Sequence, residues 1–141
     1  KTYRQKGYSQ NWVNQRLKSI EIRKSLTDEW EKRGVKEGIE FAILTDEITQ
    51  AWTGLTTKEY KKLKGIKKEN LRDNMTNLEL VLNMLTETAT TEISDKQEPK
   101  TLNENKSVAR EGGSVAGNAR REIEMKTGKN VITKSKPKML K

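Results

Sequence analysis

The sequence predicts an all-α protein, an irregular bundle of five to seven helices around one apolar helix at about residues 77–93. Three observations lead there. From Leu78 to Leu85 six of eight residues are apolar, and Thr76 with Glu79 sets a capping box directly ahead of them. At 100° per residue, Leu78, Leu80, Val81, Leu82, Met84, Leu85 and Ala89 fill an arc of roughly 200°, wider than the stripe of a surface helix. Such a helix needs cover on two sides, with Glu79, Asn83, Thr86 and Glu87 left on the remaining face. Finally, Leu, Met and Ala favour helix over strand, and apolar residues elsewhere recur at helical spacing between Ser or Thr caps and Gly stops. Met75 and Met84 read as packing residues.

The elements follow in order. Residues 1–8 read as a linker, and 9–128 as a helical domain. Ser9 caps a helix over Gln10–Lys24 that either extends to Arg33 or gives way at Thr27 to a second short helix. Val13, Leu17 and Ile20 share one of its faces, and Ile22, Leu26 and Trp30 share another with Trp12. The Val13–Leu17–Ile20 face has no obvious partner in the chain, so self-association or an upstream domain is expected to cover it. Ile39, Phe41 and Ile43 alternate as a strand would, but Phe41, Leu44, Ile48 and Trp52 share a helical face. Thr45 is the expected cap of a helix over Asp46–Thr53, with Asp46 and Glu47 at its positive end and Gly54 as its stop. A short helix capped by Thr56 or Thr57 runs to Lys64 and ends at Gly65. Ile66, Leu71 and Met75 anchor the next turn, and the central helix then fades near Ile93–Lys96, closing a main bundle over 9–96. Thr101 with Glu104 forms a second capping box and opens a C-terminal helical pair over 101–128. Gly112-Gly113 is expected to break that pair and Ser114 to restart it, with Gly128 as the final stop. In the basic tail, 129–141, a very short strand is expected at Val131–Thr133.

Composition narrows the function classes. The chain has 141 residues, 31% of them hydrophobic and 35% charged, which supports a modest core. It has no His and no Cys, which removes the usual general base, the commonest zinc ligand, thiolate metal sites and disulfides. No metal, cofactor or small-molecule substrate is expected. There is no apolar run of about 18 residues and no signal peptide, so an intracellular, cytoplasmic protein with no membrane partner is expected. The chain starts at Lys1 rather than Met, which suggests that something upstream is missing.

The net charge of +9 is unevenly spread. Residues 58–72 hold seven Lys or Arg against two acids, whereas 73–99 hold one Lys against six acids. A cationic segment beside an acidic one makes nucleic acid the first partner to consider. Lys58, Lys61, Lys62, Lys64, Lys67, Lys68 and Arg72 are the candidate phosphate contacts, with Arg120 and Arg121 second. Lysines three and four apart share a helix face, so Lys58, Lys61 and Lys62 project together. With only Tyr60 among them, base stacking is poorly supported. The competing reading is a solvated charged face. Enzymatic readings are thin: Glu122, Glu124 and Lys126 hold acids and a lysine of the kind metal-dependent nucleases use, but without the strand context or a further Asp.

Two longer segments carry a resemblance. LTDEITQAWTGLTTKEYKKLKGIKKENLRDNMTNLELVLNMLTETATTEIS and NKSVAREGGSVAGNARREIEMKTGKNVIT resemble the carboxy-terminal region of the DNA-damage-inducible protein D family, over about Gly7–Thr133. Lys64–Glu79 and Ala109–Lys129 are the most specific stretches. The resemblance implies a bacterial or prophage-borne cytoplasmic protein of the DNA-damage (SOS) response. It also implies an amino-terminal Bro domain upstream, to which residues 1–8 would be the linker. Family members are associated with DNA and with control of recombinase filaments, and no catalytic set carries over. The expectation is a non-enzymatic helical module that binds DNA, or a DNA-bound protein such as a recombinase filament, through its basic faces. The alternative is a protein–protein or homodimerisation module working through Val13, Leu17 and Ile20.

Overall fold

A computed structural model of the chain describes residues 3 and 6–137, so the linker expected over 1–8 and the tail expected over 129–141 lie partly outside the described residues. Five α-helices and one 3₁₀ turn form: α1 Gln10–Lys32, α2 Ile39–Thr53, α3 Thr57–Leu63, the turn Arg72–Asn74, α4 Asn77–Gln97 and α5 Leu102–Thr127. The fold is all-α, as the sequence predicts. Among the described residues there is no strand, so Val131–Thr133 does not form the expected one. Val131 is buried instead, its amide donating to Glu124 Oε2 at 3.0 Å. No helix of the described residues is long and apolar enough to cross a membrane.

Ser9 caps α1 by accepting from the Trp12 amide at 3.2 Å. The helix runs unbroken past Thr27, whose hydroxyl donates to the Lys24 carbonyl rather than capping a new start. α1 lies along α4 in the same direction. Trp12 Nε1 donates to the Met75 carbonyl at 2.8 Å, Arg23 pairs with Glu87 at 3.0 Å, and the Ser94 hydroxyl donates to Glu29 at 2.7 Å. The two helices thus meet at residue numbers that rise together.

α2 begins at Ile39, more than one turn before Thr45. Gly38, at φ 85°, opens it, and the Thr45 hydroxyl donates back to the Phe41 carbonyl at 2.7 Å. The helical face of Leu44, Ile48 and Trp52, all buried, prevails over the strand-like alternation at 39–43. Asp46 therefore does not serve the start of α2. Its Oδ1 accepts from the Thr57 amide at 2.7 Å and serves the start of α3. There Thr56 and Glu59 complete a capping box.

α5 is one helix of 26 residues where two were expected. Gly112-Gly113 does not break it, and Ser114 caps nothing, its hydroxyl donating to the Arg110 carbonyl. The physical reason is packing. A Cβ on Gly112 would collide with Thr90, one on Gly113 would lie 2.9 Å from the Ile48 carbonyl oxygen, and one on Gly117 would lie 2.7 Å from that of Ala51. Glycine lets α5 press against the backbones of α2 and α4 at once. The Thr86 hydroxyl donates across the seam to the Gly112 carbonyl at 2.7 Å. At the start of α5, Thr101 accepts from the Glu104 amide, but the Glu104 carboxylate takes the Lys100 amide, so the box is only half closed.

α4 is covered on two sides, by α1 and α5, as its sequence requires. Leu80, Leu82 and Met84 face inward as expected, but the rest of the expected pattern is not followed. Glu79, Asn83, Thr86 and Glu87 are buried, whereas Leu78, Val81 and Leu85 are 41%, 41% and 38% exposed. Three of the four polar residues have interior partners: Lys64 and Tyr60 for Glu79, the Gly112 carbonyl for Thr86, and two arginines for Glu87. Hydropathy weighs side chains one at a time and does not register such pairing.

α2 runs with α5, since Glu47 meets Arg110 and Trp52 meets Arg120. The short turn from α4 into α5 reverses the chain. The starts of α1 and α4, the ends of α2 and α5, all of α3 and the segment through Met75 therefore gather at one end of the bundle.

Candidate nucleic-acid interface

The basic run sits at that gathered end. Its seven predicted contacts divide into two groups. Lys58, Lys62, Lys67 and Lys68 are exposed and Lys61 is half-buried, and none of the five forms an ion pair among the described residues. Lys58, Lys61, Lys62 and Lys67 ring a hollow of about 530 Å³ whose floor includes Ile66 and Gly65. Lys61 also lines a neighbouring cavity together with Lys68. Lys58, Lys61 and Lys62 thus share a face, as their spacing on α3 requires.

Lys64 belongs to the other group. Its ammonium lies 2.6 Å from Glu79 Oε1, both side chains are 0% exposed, and it donates further to the Ser135 carbonyl. The Tyr60 hydroxyl donates to the other oxygen of Glu79. Burial first, and then the Glu79 charge, pushes the Tyr60 hydroxyl far above its ordinary value, so it remains a donor. The same Glu79 carboxylate accepts from the Thr76 amide at 2.8 Å and caps α4. Lys64 therefore fastens α3, α4 and the C-terminal segment together inside the protein and presents no ammonium at the surface.

Arg72 is held as well. Its Nη2 donates to Glu87 Oε2 at 2.8 Å, and Arg23 reaches the same oxygen at 3.0 Å. Arg16, buried on α1, clamps the 3₁₀ turn through Asp73 at 2.7 Å. These pairs fix the segment that carries Lys67 and Lys68 against α1 and α4.

In the second basic cluster Arg120 is tied inward, while Arg121 and Arg110 stay at the surface. Arg120 Nε donates to the Trp52 carbonyl at 2.7 Å and its Nη1 to Glu124 at 2.7 Å, which satisfies one of the last carbonyls of α2. Arg121 is exposed and donates to Asn118. Arg110 pairs with Glu47 at 2.8 Å. The acids weighed for a nuclease are paired too, Glu122 with Lys126 at 3.1 Å and Glu124 with Arg120. Among the described residues no group of three or more His, Cys, Asp or Glu is placed to hold a metal ion.

Of the self-association face, Val13 is in the core at 6% exposure, while Leu17 and Ile20 are 51% and 46% exposed. Sequence reasoning missed the polar lining around Asn83 and Thr57. The one available signal was Asn83 itself, a lone amide inside the apolar run LVLNML.

Compared with known families, residues 3–137 match the family described as the DinD C-terminal domain. No curated protein and no solved structure matches the chain.

Proposed function

The chain belongs to the DinD C-terminal domain family, a module of DNA-damage-inducible proteins, and on that premise we propose that it is a non-enzymatic module binding nucleic acid through phosphate contacts. The partner is DNA, or a DNA-bound protein such as a recombinase filament whose DNA remains within reach. The observation that carries this reading is the group Lys58, Lys61, Lys62, Lys67 and Lys68, gathered at one end of the bundle without counter-charges of their own. Most other bases in the core elements are ion-paired, so a cationic face left open on rigid supports is the feature that stands out. Lysine ammonium groups neutralise phosphates without reading bases, so binding is expected to be strong at low salt and indifferent to sequence.

Fluorescence anisotropy with a labelled DNA duplex tests it. Affinity should fall steeply between about 50 and 200 mM salt, with a slope of roughly −0.9 per phosphate neutralised. The triple variant Lys58→Glu, Lys62→Glu, Lys67→Glu should lose binding with its helicity intact. Binding that ignores salt and survives the triple variant rules the reading out. A protein–protein or dimerisation module is the second reading, favoured by the exposure of Leu17 and Ile20. Under it, light scattering on the same samples shows self-association that the triple variant leaves unchanged.

A further inference from the structure

We infer that the cavity between α2, α3, α4 and the segment through Arg72 is a built oxyanion site that takes a single phosphate group. Its volume is about 330 Å³, and Thr57, Lys61, Lys68, Glu69, Arg72 and Asn83 are among its lining residues. Asn83 is 4% exposed, yet its Nδ2 has no hydrogen-bond partner among the described residues. Arg72 Nε and Thr57 Oγ1 are likewise buried and unpartnered. A buried polar atom left unpaired costs stability, so three of them around one cavity require an explanation.

The unpartnered set is rich in donors. Asn83 Nδ2 and Arg72 Nε can only donate, and Thr57 has a hydroxyl to donate as well. The Thr45 and Thr49 hydroxyls in the same wall already donate to the Phe41 and Thr45 carbonyls, and the Thr45 oxygen also accepts from Arg23 Nη2 at 2.7 Å. Lys61, Lys68 and Arg72 contribute positive charge against Glu69, the one acid in the wall. Glu87 stands behind Arg72 and has a buried oxygen of its own without a partner. Its single charge is met by both Arg23 and Arg72, which leaves that trio cationic. Donor-bearing residues and positive charge lining one space suit a compact, acceptor-only anion.

This inference deepens the proposed reading, because Lys61 and Lys68 belong to the same basic face, and it assigns that face a seat for one phosphate. The phosphate is either a phosphodiester of nucleic acid or a free phosphate or phosphate ester. The two sources present the same oxygens.

The test is a titration of the chain with inorganic phosphate at low ionic strength, followed by amide chemical shifts and calorimetry. Asn83→Leu and Lys68→Gln should each weaken binding about tenfold, the scale of one hydrogen bond to a charged group. Asn83→Leu should melt no lower than the parent, since it removes an unpaired buried amide. Equal phosphate affinity in the parent and both variants overturns the site. Phosphate that displaces a DNA duplex in an Asn83-dependent manner identifies the phosphodiester as the source. Asn83-dependent phosphate binding with no competition supports the site and assigns it to free phosphate or a phosphate ester. Salt-sensitive duplex binding without any Asn83-dependent phosphate binding removes this site and leaves the basic face standing. Asn83-dependent phosphate binding without any duplex binding does the reverse.

Discussion

Lys61, Lys62 and Lys64 lie within four residues of one another, and the structure assigns them unlike roles. The first two reach the surface of α3, while the third is sealed against Glu79. Removing one partner of a buried ion pair leaves an uncompensated charge. Lys64→Met should therefore cost about 3–5 kcal/mol, whereas Lys62→Met at an exposed position should stay within about 0.5 kcal/mol. Urea denaturation of the two variants checks this, and equal effects would contradict the buried pair. The same point guides charge reversal: a change at Lys64 would lower binding by unfolding the protein, so only exposed lysines report on contact. Nothing in KKLK distinguishes its last lysine from its first two by composition. The distinction arises because Gly65 ends α3 there and Glu79, a position fixed by the capping box, lies directly across.

At the scale of the element, α5 shows how one pattern supports opposite readings. Two adjacent glycines usually interrupt a helix, since each costs about 0.5–1 kcal/mol relative to alanine. Here Gly112, Gly113 and Gly117 lie where α2 and α4 approach most closely. Gly113→Ala gains intrinsic helix propensity but sets its Cβ against Ala51 and 2.9 Å from the Ile48 carbonyl oxygen, neither of which can swing aside. The collision should prevail, destabilising the protein by about 1–3 kcal/mol, while Ser114→Ala on the exposed face should change little. Thermal melts followed by circular dichroism decide it, and a Gly113→Ala variant that melts higher would disprove the close approach. The start of α4 and the end of α5 were legible in advance because their caps are local, Thr76 with Glu79 and Gly128 at φ 71°, and the start of α3 was narrowed to Thr56 or Thr57, of which Thr56 forms the cap. The interior of α5 and the start of α2 were not legible, because neighbours distant in sequence decide them.

At the scale of the whole molecule, the order α1, α2, α4, α5 brings most of the basic run to one end of the bundle. Internal ion pairs then sort the cations. Arg16, Arg23, Arg33, Arg72 and Lys64 hold elements together through ion pairs and Arg120 does so through the Trp52 carbonyl, whereas the exposed lysines of α3 and its following turn remain open. A salt-dependent association confined to that end is the expectation for the intact domain. The slope of log affinity against log salt should fall by about one for each open lysine removed. Replacing Arg120 should leave the slope unchanged and lower the melting temperature, which separates the two kinds of base in one set of measurements.

The sequence by itself determined the all-α class, the capping box that starts α4, the need for cover on two sides of α4, and the concentration of positive charge around α3. Each of these depends on residues near one another along the chain. The tertiary structure alone decided that Gly112-Gly113 is a contact rather than a break, that Glu79 and Glu87 are interior while Leu78 and Val81 are not, and which lysines stay free. Those outcomes depend on pairs separated by tens of residues, where a charge meets its counter-charge and a missing Cβ meets a neighbouring backbone. Neither partner reveals the encounter until the helices are packed.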